Sequence, residues 1–130
     1  FFDIMEQEGH LFVKKKGLFE SWKKKWVRLS FEPNEMRIFD TRDSSEPTDA
    51  TVVEGSDTIE LVQNVGKTQE WVIMLEQENQ QIAWQFATET EADRTFWAIH
   101  FQQAILTAPK TDKARILYKE YFNIEDTANA

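Results

Sequence analysis

Six lysines and one arginine stand close together in residues 9–30: Lys14, Lys15, Lys16, Lys23, Lys24, Lys25 and Arg28, against Glu20 alone. That is a local surplus of six positive charges in a chain of net charge -8, so the remainder carries a net fourteen negative charges. A basic island on an acidic body is suited to a focused anion site. It argues against nucleic acid as the main partner, because a long polyanion would be repelled by most of the surface. Between the lysine triplets lies "GLFES", with Leu18 and Phe19 at its tip. Amines around two large apolar side chains suit a loop that dips into the headgroup and acyl boundary of a bilayer. Each well-placed lysine contributes about 1 kcal/mol near an anionic leaflet. Full burial of Leu18 and Phe19 adds ~3 to 5 kcal/mol.

Other chemistry finds little material. His10 and His100 are the only histidines and fall on different elements, which leaves no metal-ligand pair. No cysteine is present, which excludes disulfides and thiolate chemistry and fits a reducing compartment. The serines stand outside any nucleophile-elbow context, and the four glycines form no phosphate-cradling loop. Acidic clusters such as "EQE" (76–78) and "ETEAD" (89–93) read as solvated charge. The sequence therefore predicts a binding protein with no catalytic group, cofactor or metal. No apolar run approaches the roughly 20 residues of a membrane span, and the opening "FFDI" is not a signal peptide. The chain reads as a piece of a longer protein, in which any lipid anchor would lie outside it.

Two strands position the basic island. "GHLFVKK" (9–15) and "WKKKWVRLSF" (22–31) are β-prone, and the second alternates clearly. The short bridge from Lys16 to Ser21 makes them a hairpin. Period-2 geometry puts Lys23 and Lys25 on the face of Val27, Leu29 and Phe31, with Lys24 opposite. "Pro33-Asn34" marks a turn into a third strand at 35–40, and the polar residues 41–56 read as a long loop. Residues 57–61, 70–77 and 81–89 supply at least three more strands. After Thr90 the period becomes helical: Trp97, Phe101, Ala104 and Ile105 share a face, and Thr90 is the expected N-cap. A second stripe, Phe96, Ile99, Gln103 and Leu106, predicts a cover of its own. Beyond Pro109, residues 111–122 read as a shorter helix capped by Thr111, with Leu117, Tyr121 and Ile124 placed to dock on that stripe. Antiparallel strands followed by an amphipathic helix predict a mostly β fold with the helix over an open end.

"EGHLFVKKKGLFESWKKKWVRL" (8–29) resembles the opening of a pleckstrin homology (PH) domain, a family with an E-G-x-L strand, a basic loop and W-K-x-R before an apolar strand. Trp97, in the middle of the final helix, resembles the family's other landmark. The resemblance implies a PH-like domain over residues 6–107, a seven-stranded antiparallel bent sandwich or barrel capped by the helix. Residues 108–130 are then a C-terminal helical extension packing on it. It also implies that the first two strands form a basic mouth for phospholipid headgroups. Lys14, Lys15, Lys16, Lys23 and Lys25 would contact the headgroup, Arg28 would add field from further along the strand, and Leu18 and Phe19 would insert. Two positions depart from the pattern: Val13 stands where the family most often has its first-strand lysine, and Lys25 replaces the final arginine. Lysine binds phosphate as a point charge without the guanidinium fork, which leaves room for a headgroup as simple as phosphatidic acid beside a phosphoinositide. The expected function is recruitment to the cytosolic face of a membrane through anionic phospholipid. The alternative is a protein-interaction module of the same fold, making contact through its acidic face or the helix at 111–122.

Overall fold

The computed structural model describes residues 6–15, 21–31 and 33–108. Seven antiparallel strands and one helix account for most of them: β1 (Glu6–Lys15), β2 (Lys23–Phe31), β3 (Asn34–Phe39), β4 (Asp49–Val52), β5 (Thr58–Gln63), β6 (Trp71–Gln77), β7 (Ile82–Thr88) and α1 (Glu91–Thr107). The strand order is β4-β3-β2-β1-β7-β6-β5. The sheet is not closed: β4 and β5 are its two edges. β1 joins the halves, pairing with β2 over residues 6–13 and with β7 over residues 12–15.

Alternation explains which residues are inside. Leu11 and Val13 of β1 and Val27, Leu29 and Phe31 of β2 are buried, while their neighbours in sequence face outward. Met36, Ile38, Val53, Ile73, Leu75, Trp84 and Phe86 complete the core, and Trp97, Phe101, Ala104 and Ile105 close it from α1. Thr90 caps the helix as expected, its hydroxyl accepting from the Asp93 amide at 3.1 Å. The helix is tied to the far edge by Arg94, which donates to the Val62 carbonyl at 2.9 Å and lies over the Trp71 ring. The two sequence landmarks meet in space. A Cβ on Gly9 would come within 3.3 Å of Trp97 Cζ2, so the glycine admits the indole.

The segment 41–56 is not wholly a loop, since residues 49–52 form the edge strand β4. Its alternation is inverted at this edge: Val52 is exposed and Thr51 is buried against Gln77. The second helical stripe is uncovered among the described residues, with Phe96, Ile99 and Leu106 at 47%, 61% and 71% exposure. The helix expected at 111–122 and its docking through Leu117, Tyr121 and Ile124 lie outside the described residues.

Candidate functional site: a lysine-lined mouth at the end of the β1–β2 hairpin

The inner face of β2 changes character along its length. Phe31, Leu29 and Val27 are buried; two and four residues nearer the strand's start, the same face carries Lys25 and Lys23. β1 does the same in reverse, from Leu11 and Val13 to Lys15. The register sets Lys25 opposite Leu11 and Lys23 opposite Val13. The aliphatic stems of these lysines therefore extend the core while their amines reach its open end. Lys14, Lys15, Lys23 and Lys25 line one open cavity of ≈ 250 Å³ with Ser21, Thr48, Asp49 and Trp84. An anion entering it meets amines from two strands.

The amines have partners. Lys15 Nζ lies 3.3 Å from Asp49 Oδ2 and 4.9 Å from the centre of the Trp84 ring. Trp84 faces Lys15 across the β1–β7 ladder, and its indole nitrogen donates to Gln77 Oε1 at 2.9 Å, which fixes the ring under the amine. Lys25 Nζ bonds Asp40 Oδ1. Lys23 is exposed and forms no ion pair among the described residues. Lys14 belongs to the other face of β1 and sits over the Trp22 ring at 4.9 Å. It borders both the mouth and a second cavity formed with Asn64, Val65, Lys67, Thr68 and Gln69.

Of the residues singled out in the sequence, the structure brings together Lys14, Lys15, Lys23 and Lys25. Arg28 points the other way: it sits on the outer face, with Nη2 3.4 Å from Glu8 Oε1 and its guanidinium over Phe39. Trp26 donates to the same Glu8 oxygen at 2.8 Å, so this patch is a self-contained cluster on the back of the hairpin. Lys16, Leu18 and Phe19 lie outside the described residues. Sequence reasoning missed Asp40 and Asp49. Asp40 was findable, because it follows the third strand directly and continues the β2–β3 pairing next to Lys25. Among the described residues no three His, Cys, Asp or Glu side chains gather to hold a metal ion, and no helix is long and apolar enough to cross a membrane.

An open seven-stranded antiparallel sheet, a C-terminal helix across it and a basic mouth beside the first hairpin define a PH-type module. The PH domain family profile matches residues 5–106, and the chain belongs to that family. PH domains are in general non-enzymatic modules for binding lipids or proteins. Similar solved structures agree on the fold. The C-terminal PH domain of human pleckstrin superimposes with a TM-score of 0.66 at 15% identity, covering 82% of this chain and 84% of that one. The C-terminal PH domain of pleckstrin in complex with D-myo-Ins(1,2,3,4,5)P5 gives 0.62 at 16% identity, with 75% and 95% covered. The PH domain of mouse Ethanol Decreased 4 protein gives 0.61 at 17% identity, with 81% and 91% covered. No curated protein sequence matches the chain.

Proposed function

We propose that this domain recruits its parent protein to a membrane by gripping the phosphate of an anionic phospholipid headgroup, phosphatidic acid or a phosphoinositide, in the mouth over the inner face of β1 and β2. The observation that carries the reading is the convergence of Lys15, Lys23 and Lys25 on one cavity from the inner face of two paired strands. Lys14 adds charge at the rim. Lys16 adds charge, and Leu18 and Phe19 insert beside it, on the strength of their sequence between the two strands. The binding of an inositol pentakisphosphate by pleckstrin's C-terminal PH domain supports the ligand class. Arg28, held by Glu8 on the opposite face, contributes field rather than contact. The place of action is the cytosolic surface of a membrane, where anionic lipid is abundant.

Vesicle sedimentation tests this. Binding should rise with the anionic fraction and fall as salt is raised above about 0.1 M. The Lys23→Ala/Lys25→Ala double variant should bind roughly thirtyfold more weakly, given about 1 kcal/mol for each lysine, while melting like the parent. The second reading, a protein-interaction module, is favoured by the exposed Phe96, Ile99 and Leu106 on α1. Equal sedimentation with neutral and anionic vesicles, or with neither, would decide for it.

A further inference from the structure

Lys25 and Lys15 reach the mouth already engaged, with Asp40 and Asp49 respectively. The backbone imposes both pairs. The β2–β3 ladder sets Trp26 against Phe39, so the next residues outward, Lys25 and Asp40, become neighbours. Asp49 opens β4 against Ile38, on the other side of the loop that begins at Asp40. The lysine side chains keep 21% and 29% of their surface, and the aspartates 60% and 38%. These pairs sit at the boundary of solvent, where a carboxylate–ammonium contact is weak enough to exchange. A phosphomonoester offers three acceptor oxygens and a charge of about -1.5 to -2. It can therefore displace a single carboxylate from each amine.

We propose that Asp40 and Asp49 are built-in competitors of the headgroup, which neutralise Lys25 and Lys15 in the free protein and thereby select a singly phosphorylated ligand. This rests on the headgroup reading above and adds residues that set its affinity and preference. Among the described residues, four lysines border the mouth against these two aspartates, a surplus of two positive charges. One phosphomonoester dianion balances that surplus. Further phosphates on an inositol ring would bring their oxygens against the two displaced carboxylates. Repulsion there offsets the gain from added charge. The competitors also halve the charge of the free mouth, so the module adheres less to acidic surfaces that lack a phosphomonoester.

The test compares the parent with Asp40→Asn, Asp49→Asn and the double variant, substitutions that keep side-chain size. Vesicles of phosphatidylcholine alone, or mixed with phosphatidic acid or a phosphatidylinositol bisphosphate, measure lipid binding. Titration with soluble glycerol phosphate and inositol trisphosphate separates the phosphate from its membrane. The parent should favour phosphatidic acid over the bisphosphate. The double variant should bind about tenfold more tightly, from two released pairs of modest strength, with the larger gain on the multiply phosphorylated ligands. Unchanged or weaker binding by the double variant overturns the proposal, as does an equal gain on every ligand. Lys23→Ala in each background tells the two ideas apart. If it leaves the parent's binding intact, the headgroup reading fails. If it weakens binding and the aspartate variants still show no gain, only the competitor role fails. Lys23-dependent binding that appears only in the double variant supports the proposal, and no binding in any background refutes both ideas.

Discussion

Gln77 is wholly buried, and its amide makes four hydrogen bonds. Its oxygen accepts from Thr51 Oγ1 and Trp84 Nε1, and its nitrogen donates to the Val52 carbonyl and Asp57 Oδ2. One side chain thus joins the edge strand β4 to the tryptophan beneath Lys15. Gln77→Leu keeps the volume but leaves these partners unpaired, at about 1–3 kcal/mol for each that water cannot reach. Chemical denaturation should show a loss of several times the error of the measurement. The neighbour Asp57 carries a second prediction. Burial raises its pKa above the ordinary 3.8, against the opposing bonds from the Glu54 amide and Gln77, with the Glu54 charge adding to the rise. Between 3.8 and the higher folded value the native state binds more protons than the unfolded chain, so stability falls as pH rises through that window. Asp57→Asn removes this slope. Urea unfolding from about pH 4 upward should show the variant gaining on the parent as pH rises; a constant difference would contradict a raised pKa.

At the scale of elements, the last turn of α1 depends on the sheet. Asn34, buried at the start of β3, donates from Nδ2 to the Ala104 carbonyl at 2.7 Å and to Thr107 Oγ1 at 2.8 Å. Helix C-termini leave carbonyls without partners inside the helix, and here a strand residue supplies one. Asn34→Ala should cost about 1–3 kcal/mol, and hydrogen exchange should locate the loss at residues 104–107 rather than at the helix start, which Thr90 caps independently. Uniform loss of protection along α1 would refute a local role. The helix itself was legible in the sequence because Trp97, Phe101, Ala104 and Ile105 repeat with a helical period and Thr90 precedes them. Strand β2 was legible because it alternates, and β3 because the turn at Pro33-Asn34 marks its start. Edge strand β4 was not, because the alternation of "DATV" is inverted: Ala50 and Val52 meet water, while Thr51 meets Gln77 and Gln80 and Asp49 meets Lys15. The site was legible in part. Counting alternate residues from Leu11 and Val13 puts Lys15, not Lys14, on the inner face of β1, a parity the sequence already contained. The pairing of Lys15 with Asp49 spans 34 residues and needed the fold.

Across the whole molecule, the seven cations of residues 9–30 stand against fourteen net negative charges elsewhere. Which charge a membrane feels depends on distance. A domain of this length has a radius of gyration of about 14 Å, while the Debye length is about 10 Å at 0.1 M salt and about 30 Å at 0.01 M. At the higher salt an anionic bilayer touching the mouth interacts with the lysines beside it, and most of the acidic body is screened. At the lower salt the same bilayer is repelled by the body as well. Binding to anionic vesicles should therefore fall with salt above about 0.1 M, yet flatten or reverse as salt is lowered toward about 0.01 M. A protein with a uniformly basic surface would keep gaining affinity on dilution. Sedimentation across this range, with the Lys23→Ala/Lys25→Ala variant in parallel, measures the two contributions separately. The double variant should lose the high-salt attraction and keep the low-salt repulsion, and a straight line for the parent down to the lowest salt would show that the acidic body does not oppose docking.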